Sequence, residues 1–255
     1  MLFRKLYNWY ILTFIFHYFH FIMKQKLKKH QNLISGSVID IGCGNKPYKN
    51  IFKDIKKYIG TNSKSYYENS LHKINEDDFI VEDGTELPFE DESYDSVLNF
   101  QVLPVFENPD EFYNEVKRVL KPNGYFLLTT DFLYPIWNAP FNFWRTTKFG
   151  LEKLAKRNQL DLIVLEPFGG YWVMQARLLE RYFRSLLPKF LKSISKEKNV
   201  VIKILKIIRV QFWLIVVLLS PIIINLAFLI FHFLDKLFYD DEFTTNYFVL
   251  MQKKQ

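Results

Sequence analysis

Residues 37–52 read SVIDIGCGNKPYKNIF, an apolar β-branched run that breaks into a glycine turn. Val38, Ile39 and Ile41 favour a strand. Gly42 and Gly44 then let the backbone bend tightly and approach a ligand where a Cβ would collide. Pro47 suits the first turn of a following helix, because its missing N–H would have no partner there. A strand, a tight glycine turn and a helix start open one unit of an open α/β sheet, whose ligand lies beyond the carboxyl ends of the strands.

Outward from that stretch the alternation continues. KYIGT, FIVEDG, SYDSVLNF, GYFLLTTD and LDLIVLEP read as further strands, and TTNYFVLMQKK as a last one. Between the fourth and fifth lies NPDEFYNEVKRVLKPNG, with an Asn or Asp cap, apolar Phe112, Val116, Val119 and Leu120 at helical spacing, and a Pro-Asn-Gly stop. This pattern predicts an α/β fold: a doubly wound, mostly parallel sheet with helices on both faces.

At 255 residues the chain is long enough for one α/β core with an insertion. Four segments are expected: an N-terminal amphipathic membrane-interface helix (1–34), the core (35–168), a basic and apolar helical insert (169–242) and the last strand (243–255). In the first, Thr13, His17, His20 and Lys24 make one narrow polar stripe on an apolar helix, with lysines following. The two histidines are read as part of that wet stripe and no metal site is expected. The N-terminus lacks a small-residue cleavage site, so a secretory signal is not expected. Cys43 is the only cysteine, which excludes an intrachain disulfide and a cysteine zinc cluster.

The formal net charge is +7, and position decides what that charge serves. Basic residues crowd Arg177–Arg209, beside the uncharged run 210–234. Because they adjoin an apolar segment and form no aromatic-interleaved groove, an anionic membrane surface is expected as partner, and nucleic acid is not. A single crossing would place the last strand on the wrong side of the membrane from its sheet. Pro221 also divides the run into halves shorter than the roughly 20 residues a span requires. A bent helical pair dipping into one leaflet is expected, giving a peripheral or monotopic protein on the cytoplasmic face. Burial of the insert against the protein itself or a homodimer partner is the alternative.

The glycine turn lacks the third glycine of G-x-G-x-x-G, which disfavours a nicotinamide dinucleotide. Asp40 stands two residues before Gly42, and VEDGTELPFEDESYDSVLNF places Asp83 at the end of the third strand and Asp95 at the start of the fourth. Carboxylates at strand ends suit a cationic, adenosine-bearing ligand such as S-adenosylmethionine.

VIDIGCGNKPY, the VEDG…LNFQVL stretch and FYNEVKRVLKPNGYFLLTT together resemble the class I S-adenosylmethionine-dependent methyltransferases, of the type-11 kind, from about Val38 to Leu165. PFNFWRTTKFGLEKLAKRNQLDLI resembles a subgroup associated with cell-surface polysaccharide and glycolipid synthesis. The resemblance implies a Rossmann-like seven-stranded sheet whose last strand inserts antiparallel between strands five and six. It implies S-adenosylmethionine as cofactor, with Asp40, Gly42 and Gly44 lining the methionine side, Cys43 in the same turn, Asp83 and Gly84 by the adenine, and Gln101 facing the shared cleft. Asn62 stands where the family has an acidic ribose ligand; its amide oxygen still accepts, without charge assistance.

Other departures cluster at the acceptor side: the subgroup's Leu-Glu-His after strand four reads Leu103, Pro104 and Val105 here, Trp137 and Asn138 lie where it has His-Glu, and Asn142 stands where an acidic residue is common. Asp131, at the end of strand five, is the best candidate for a base, with a turn cap as its alternative role; Tyr134 and Arg145 are further candidates. Two readings follow: methyl transfer to a membrane-bound or lipid-linked acceptor such as a glycan, or a methyltransferase-fold protein serving as a membrane-associated scaffold.

Overall fold

The computed structural model describes residues 14–64, 78–81, 84–195, 199, 202 and 226–255. The elements are α1 (Phe14–His30), β1 (Gly36–Ile41), β2 (Ile55–Ser63), β3 (Asp78–Val81), β4 (Tyr94–Phe100), α2 (Pro109–Val119), β5 (Leu120–Asp131), α3 (Lys148–Arg157), β6 (Leu160–Phe168), α4 (Tyr171–Ser195) and β7 (Asn246–Lys253). They fall into two compact units: the sheet, comprising residues 22–168 and 244–255, and a second unit of residues 1–21 and 169–243, whose described elements are helical.

In the sheet unit seven strands run in the order β3-β2-β1-β4-β5-β7-β6. The first five pair in parallel, and β7 lies antiparallel between β5 and β6. The winding reverses between β1 and β4, so the crevice beyond their carboxyl ends is the ligand position for such a sheet. β4 and β7 are buried along nearly their whole length, which is why they read as continuous apolar runs and not as alternating ones.

α2 starts as the sequence requires. Asn108 Oδ1 accepts from Asp110 N at 3.1 Å, Pro109 occupies the first turn, and Lys117 and Arg118 close the last. Its inner face buries Phe112, Tyr113, Val116 and Val119. Phe112 stacks on Phe106 with centroids 4.0 Å apart and meets Phe126 of β5 edge-on. Glu115, also buried, accepts from Leu87 N at 2.6 Å and from Arg118, whose guanidinium reaches the carbonyls of Leu87 and Phe89. This network fixes the turn that follows residue 84. Asn108→Ala is expected to cost about 1 kcal/mol of stability, read from the denaturant midpoint at unchanged slope.

The second half of α1 departs from expectation. Met23, Leu27 and Ile34 are fully buried, Lys26 and Lys29 ion-pair with Glu166 of β6 at 2.6 and 2.8 Å, and His30 stacks on Phe248 of β7. Residues 22–34 therefore pack on the protein's own sheet, and a separate interfacial segment cannot extend to residue 34. Of the polar stripe, Thr13 and the side chain of His17 lie outside the described residues, His20 is half-buried, and Lys24 is exposed.

In the helical unit the Asp235 carboxylate caps the start of α4, accepting from Gly170 N at 3.0 Å and Trp172 N at 2.8 Å. Residues 226–237 are helical, with Phe228 buried against Val173 and Ala176. Leu226, Leu229, Ile230, Phe233 and Leu237 lie exposed along one side at helical spacing. The rest of the uncharged run, 210–225, lies outside the described residues. Among the described residues no helix is long and apolar enough to cross a membrane.

Candidate functional site

The turn leaving β1 is built by backbone contacts to β2. Gly42 N and Cys43 N both donate to Thr61 O, at 2.8 and 3.1 Å. Gly42 takes φ +71°, and a Cβ there would stand 2.6 Å from Val102. Both facts require glycine. Gly44, with φ +52°, donates to Asn62 Oδ1 at 3.0 Å. Asn62 also donates to Cys43 Sγ at 3.1 Å and is buried. The residue expected at the ribose thus turns its amide into the glycine turn. Asn62→Ala is expected to cost about 1–2 kcal/mol in thermal stability by stripping the acceptor from Gly44 N–H.

Cys43 is buried, and burial pushes its thiol up to about 12. Its side chain faces Asn62 and the Gly44 carbonyl, so only its backbone belongs to the ligand turn. Gly84 packs against Ile41 and Phe106, where a Cβ would come within 2.9 Å of either, which sets it beside the carboxyl end of β1. Asp83 lies outside the described residues. Asp95 is at the opposite edge of the sheet, accepting from Ser37 N at 2.7 Å and pairing with Lys121, and is structural.

Asp40 is 1% exposed. Its Oδ2 accepts from Tyr58 Oη at 2.5 Å, while Oδ1 has no hydrogen-bond partner. Burial raises the carboxyl to about 7, against the opposing influence of the Tyr58 hydroxyl and the Lys46 ammonium. Lys46 is itself turned inward, ion-paired with Asp78 of β3 and lying over the Tyr58 ring, from a backbone at φ +53°. A buried carboxylate with an unmet oxygen is costly unless a cation or donor reaches it. Two residues from Gly42, where a Cβ would collide with Val102, it fits a ligand carrying positive charge.

At the other side of the crevice four polar side chains form one chain of hydrogen bonds. Gln101, at φ +63°, donates to Thr129 Oγ1 at 3.0 Å and accepts from Asn246 Nδ2 at 2.9 Å. Asn246 Nδ2 also donates to Asp131 Oδ1 at 2.8 Å, and the Trp137 indole donates to Asp131 Oδ2 at 2.7 Å. Both carboxylate oxygens of Asp131 are therefore engaged and the side chain is buried. In this position the carboxylate holds Trp137. Arg145 makes no ion pair among those described; it spans the carbonyls of Tyr134, Pro135 and Trp144 and braces the loop after β5. Tyr134 supplies that loop with a carbonyl.

Residues 39–128 match the family described as methyltransferase domain. That span holds the Asp40 carboxylate, the glycine turn and Gly84. Residues 39–128 are a class I methyltransferase domain. Its cofactor is S-adenosylmethionine. The phthiotriol/phenolphthiotriol dimycocerosates methyltransferase of Mycobacterium tuberculosis is 33% identical over 129 residues, 49% of this chain and 44% of that protein. The fatty-acid O-methyltransferase of Mycolicibacterium smegmatis is 43% identical over 58 residues, 23% of this chain and 21% of that one. The chain spans less than half the length of either relative. Among solved structures, the [4+2]-cyclase SpnF superposes with a TM-score of 0.54 at 14% identity, covering 91% of this chain and 80% of its own. A SAM-dependent methyltransferase from Archaeoglobus fulgidus gives 0.51 at 13% identity, covering 91% and 93%. These two likenesses establish the fold.

Several residues of the domain's site escaped the sequence reading. Tyr58 and Lys46 surround Asp40, and Asn246 joins Gln101 to Asp131. Asn246 had a signal: it is the polar start of an apolar strand, and an antiparallel β7 beside β5 sets it opposite Asp131.

Proposed function

We propose that the protein transfers a methyl group from S-adenosylmethionine to a lipid or lipid-linked acceptor at a membrane surface. The observation that carries the cofactor side is Asp40, a buried carboxylate with one unmet oxygen two residues before Gly42, whose backbone and surroundings favour glycine. The cofactor supplies an already activated methyl on a cationic sulfur. The chain's own work is then to bind, orient and exclude water, since holding donor and acceptor in line contributes much of such a rate. Asp40 offers negative charge, the Gly42–Gly44 turn allows close backbone approach, and Gly84 lets its own segment pack tightly against Ile41 at the end of β1. Gln101 fixes the edge of β4 through Thr129 and Asn246.

The acceptor class follows from two supports. The relatives named above act, by their names, on dimycocerosates and on a fatty acid. The helical residues 226–237 also carry an exposed apolar stripe and follow a basic stretch in the sequence, a composition that suits an element lying in a lipid interface on the cytoplasmic side. A glycan carried on such a lipid satisfies the same reading.

The test supplies the full chain with S-adenosylmethionine labelled in its methyl group and with a bacterial lipid extract. Label passing into the organic phase, and absent with Asp40→Asn, is the expected result. Tight S-adenosylhomocysteine binding without label transfer to any lipid fraction, while water-soluble acceptors are labelled, overturns the acceptor class.

A further inference from the structure

The loop after β5 presents large apolar side chains to solvent. Ile136 is 71% exposed, Phe141 53%, Phe143 43%, Trp144 44% and Phe149 68%, all within fourteen residues of the sheet unit. Soluble surfaces scatter such residues singly, and a cluster marks a contact. The loop leaves β5 at the carboxyl edge, where the glycine turn and Gln101 also lie.

This is a braced loop. Phe143 N donates to Pro104 O at 2.7 Å, across the edge to the turn after β4, and the Trp144 indole donates to Glu107 O at 3.1 Å. Arg145 holds the carbonyls at the loop's start, and Asp131 holds Trp137. Phe141 N and Asn142 N donate to Asn138 O and Pro140 O. The backbone N–H groups of Phe141, Asn142 and Phe143 and the Trp144 indole are therefore already satisfied, so moving this part of the loop into hydrocarbon strands none of these four donors.

We propose that residues 136–149 form a preordered docking face that seats in an anionic lipid bilayer at the mouth of the cofactor crevice. The proposal rests on the lipid-acceptor reading above and gives it a surface separate from residues 226–237. Charge selects the occupant. α3 continues the face with Lys148 over the Phe149 ring and with Lys153 and Lys156 exposed, against Glu152 and the exposed Glu107 beside Trp144, while Arg157 is paired with Asp110. A basic rim around aromatic tips complements anionic headgroups, with about 1 kcal/mol from each lysine near the surface. A second copy of this chain, itself at +7, would bring like charge to the same face.

The test uses the full chain and vesicles of phosphatidylcholine with or without phosphatidylglycerol, some with brominated acyl chains that quench tryptophan on contact. Wild type is expected to sediment with anionic vesicles and to lose part of its tryptophan emission to bromine, and Trp144→Phe to reduce that quenching measurably. Phe141→Ser with Phe149→Ser is expected to weaken partition by about tenfold for each phenylalanine. Lys153→Glu with Lys156→Glu is expected to weaken it by about fivefold or more per site, on anionic vesicles only. S-adenosylhomocysteine titration certifies the fold of each variant; should the serine pair lose it, the lysine pair and the bromine readout decide.

Wild type that binds vesicles while every variant binds equally, with quenching unchanged in Trp144→Phe, overturns the docking face and leaves the lipid-acceptor reading standing. Wild type that ignores all vesicles overturns the docking face, and the label-transfer assay then decides the acceptor class separately. A lipid-free dimer that the serine pair converts to monomer, at unchanged vesicle binding, makes the face an interface between copies and also overturns the proposal.

Discussion

Asp40→Asn is expected to weaken S-adenosylhomocysteine binding by about 10- to 100-fold while leaving the melting temperature unchanged or higher. The two halves of that result come from one carboxylate. Its amide replacement still offers an oxygen to the Tyr58 hydroxyl, so the hydrogen bond at 2.5 Å keeps an acceptor. The negative charge goes, and with it a charge-assisted contact of about 1.5–3 kcal/mol to the ammonium of the ligand. The free protein gains, because burial already disfavours the charged form and lifts the carboxyl to about 7. A purely structural aspartate would give the reverse pattern, loss of stability with ligand affinity falling only in proportion. Calorimetric titration beside a thermal melt separates the two, and unchanged affinity would remove Asp40 from the site.

The same group gives the binding its pH dependence. In the free protein the carboxyl titrates near 7, whereas a cation beside it holds it ionised in the complex. Binding therefore releases a proton at low pH, and affinity is expected to rise about tenfold from pH 6 to pH 8 and then level off. Stability of the free protein runs the other way. The folded state keeps the Asp40 proton above the carboxyl's ordinary value of 3.8, so this group's contribution falls as pH rises from about 4 to about 7 and is flat beyond. Both slopes should vanish in Asp40→Asn.

What the sequence disclosed and what it withheld divide along a physical line. Strand positions were legible because β1, β4, β5 and β7 are buried on both faces and write themselves as unbroken apolar runs. The Gly42 turn was legible because its backbone and the Val102 side chain leave no alternative residue. Partnership between polar side chains was not. Asn62 looked like a weakened ribose ligand, yet the fold spends its amide on Gly44 and Cys43. The lysines that follow the apolar stripe fell within the expected membrane-interface segment, yet Lys26 and Lys29 meet Glu166, a residue well over a hundred positions away that no local pattern connects to them. Such pairings are set by sheet register, and register is a property of the whole fold.

Asp131 is the sharpest instance, and its substitution is expected to have the largest effect on stability. Asp131→Ala strips the acceptor from two donors in one buried place, the Asn246 amide and the Trp137 indole, for an expected loss of about 2–4 kcal/mol. If the residue acts by anchoring, Trp137→Phe should impair methyl transfer about as much as Asp131→Asn, because each releases the same loop from the end of β5. If it acts as a base, Asp131→Asn should remove about 10²–10⁴-fold of rate while Trp137→Phe removes little. The geometry favours the first pattern, since a carboxylate whose two oxygens already accept from fixed donors has to surrender one before it can take a proton. Comparing kcat for the two variants against their melting temperatures decides it: parallel losses mark an anchor, and a loss confined to Asp131→Asn would return the residue to the chemistry.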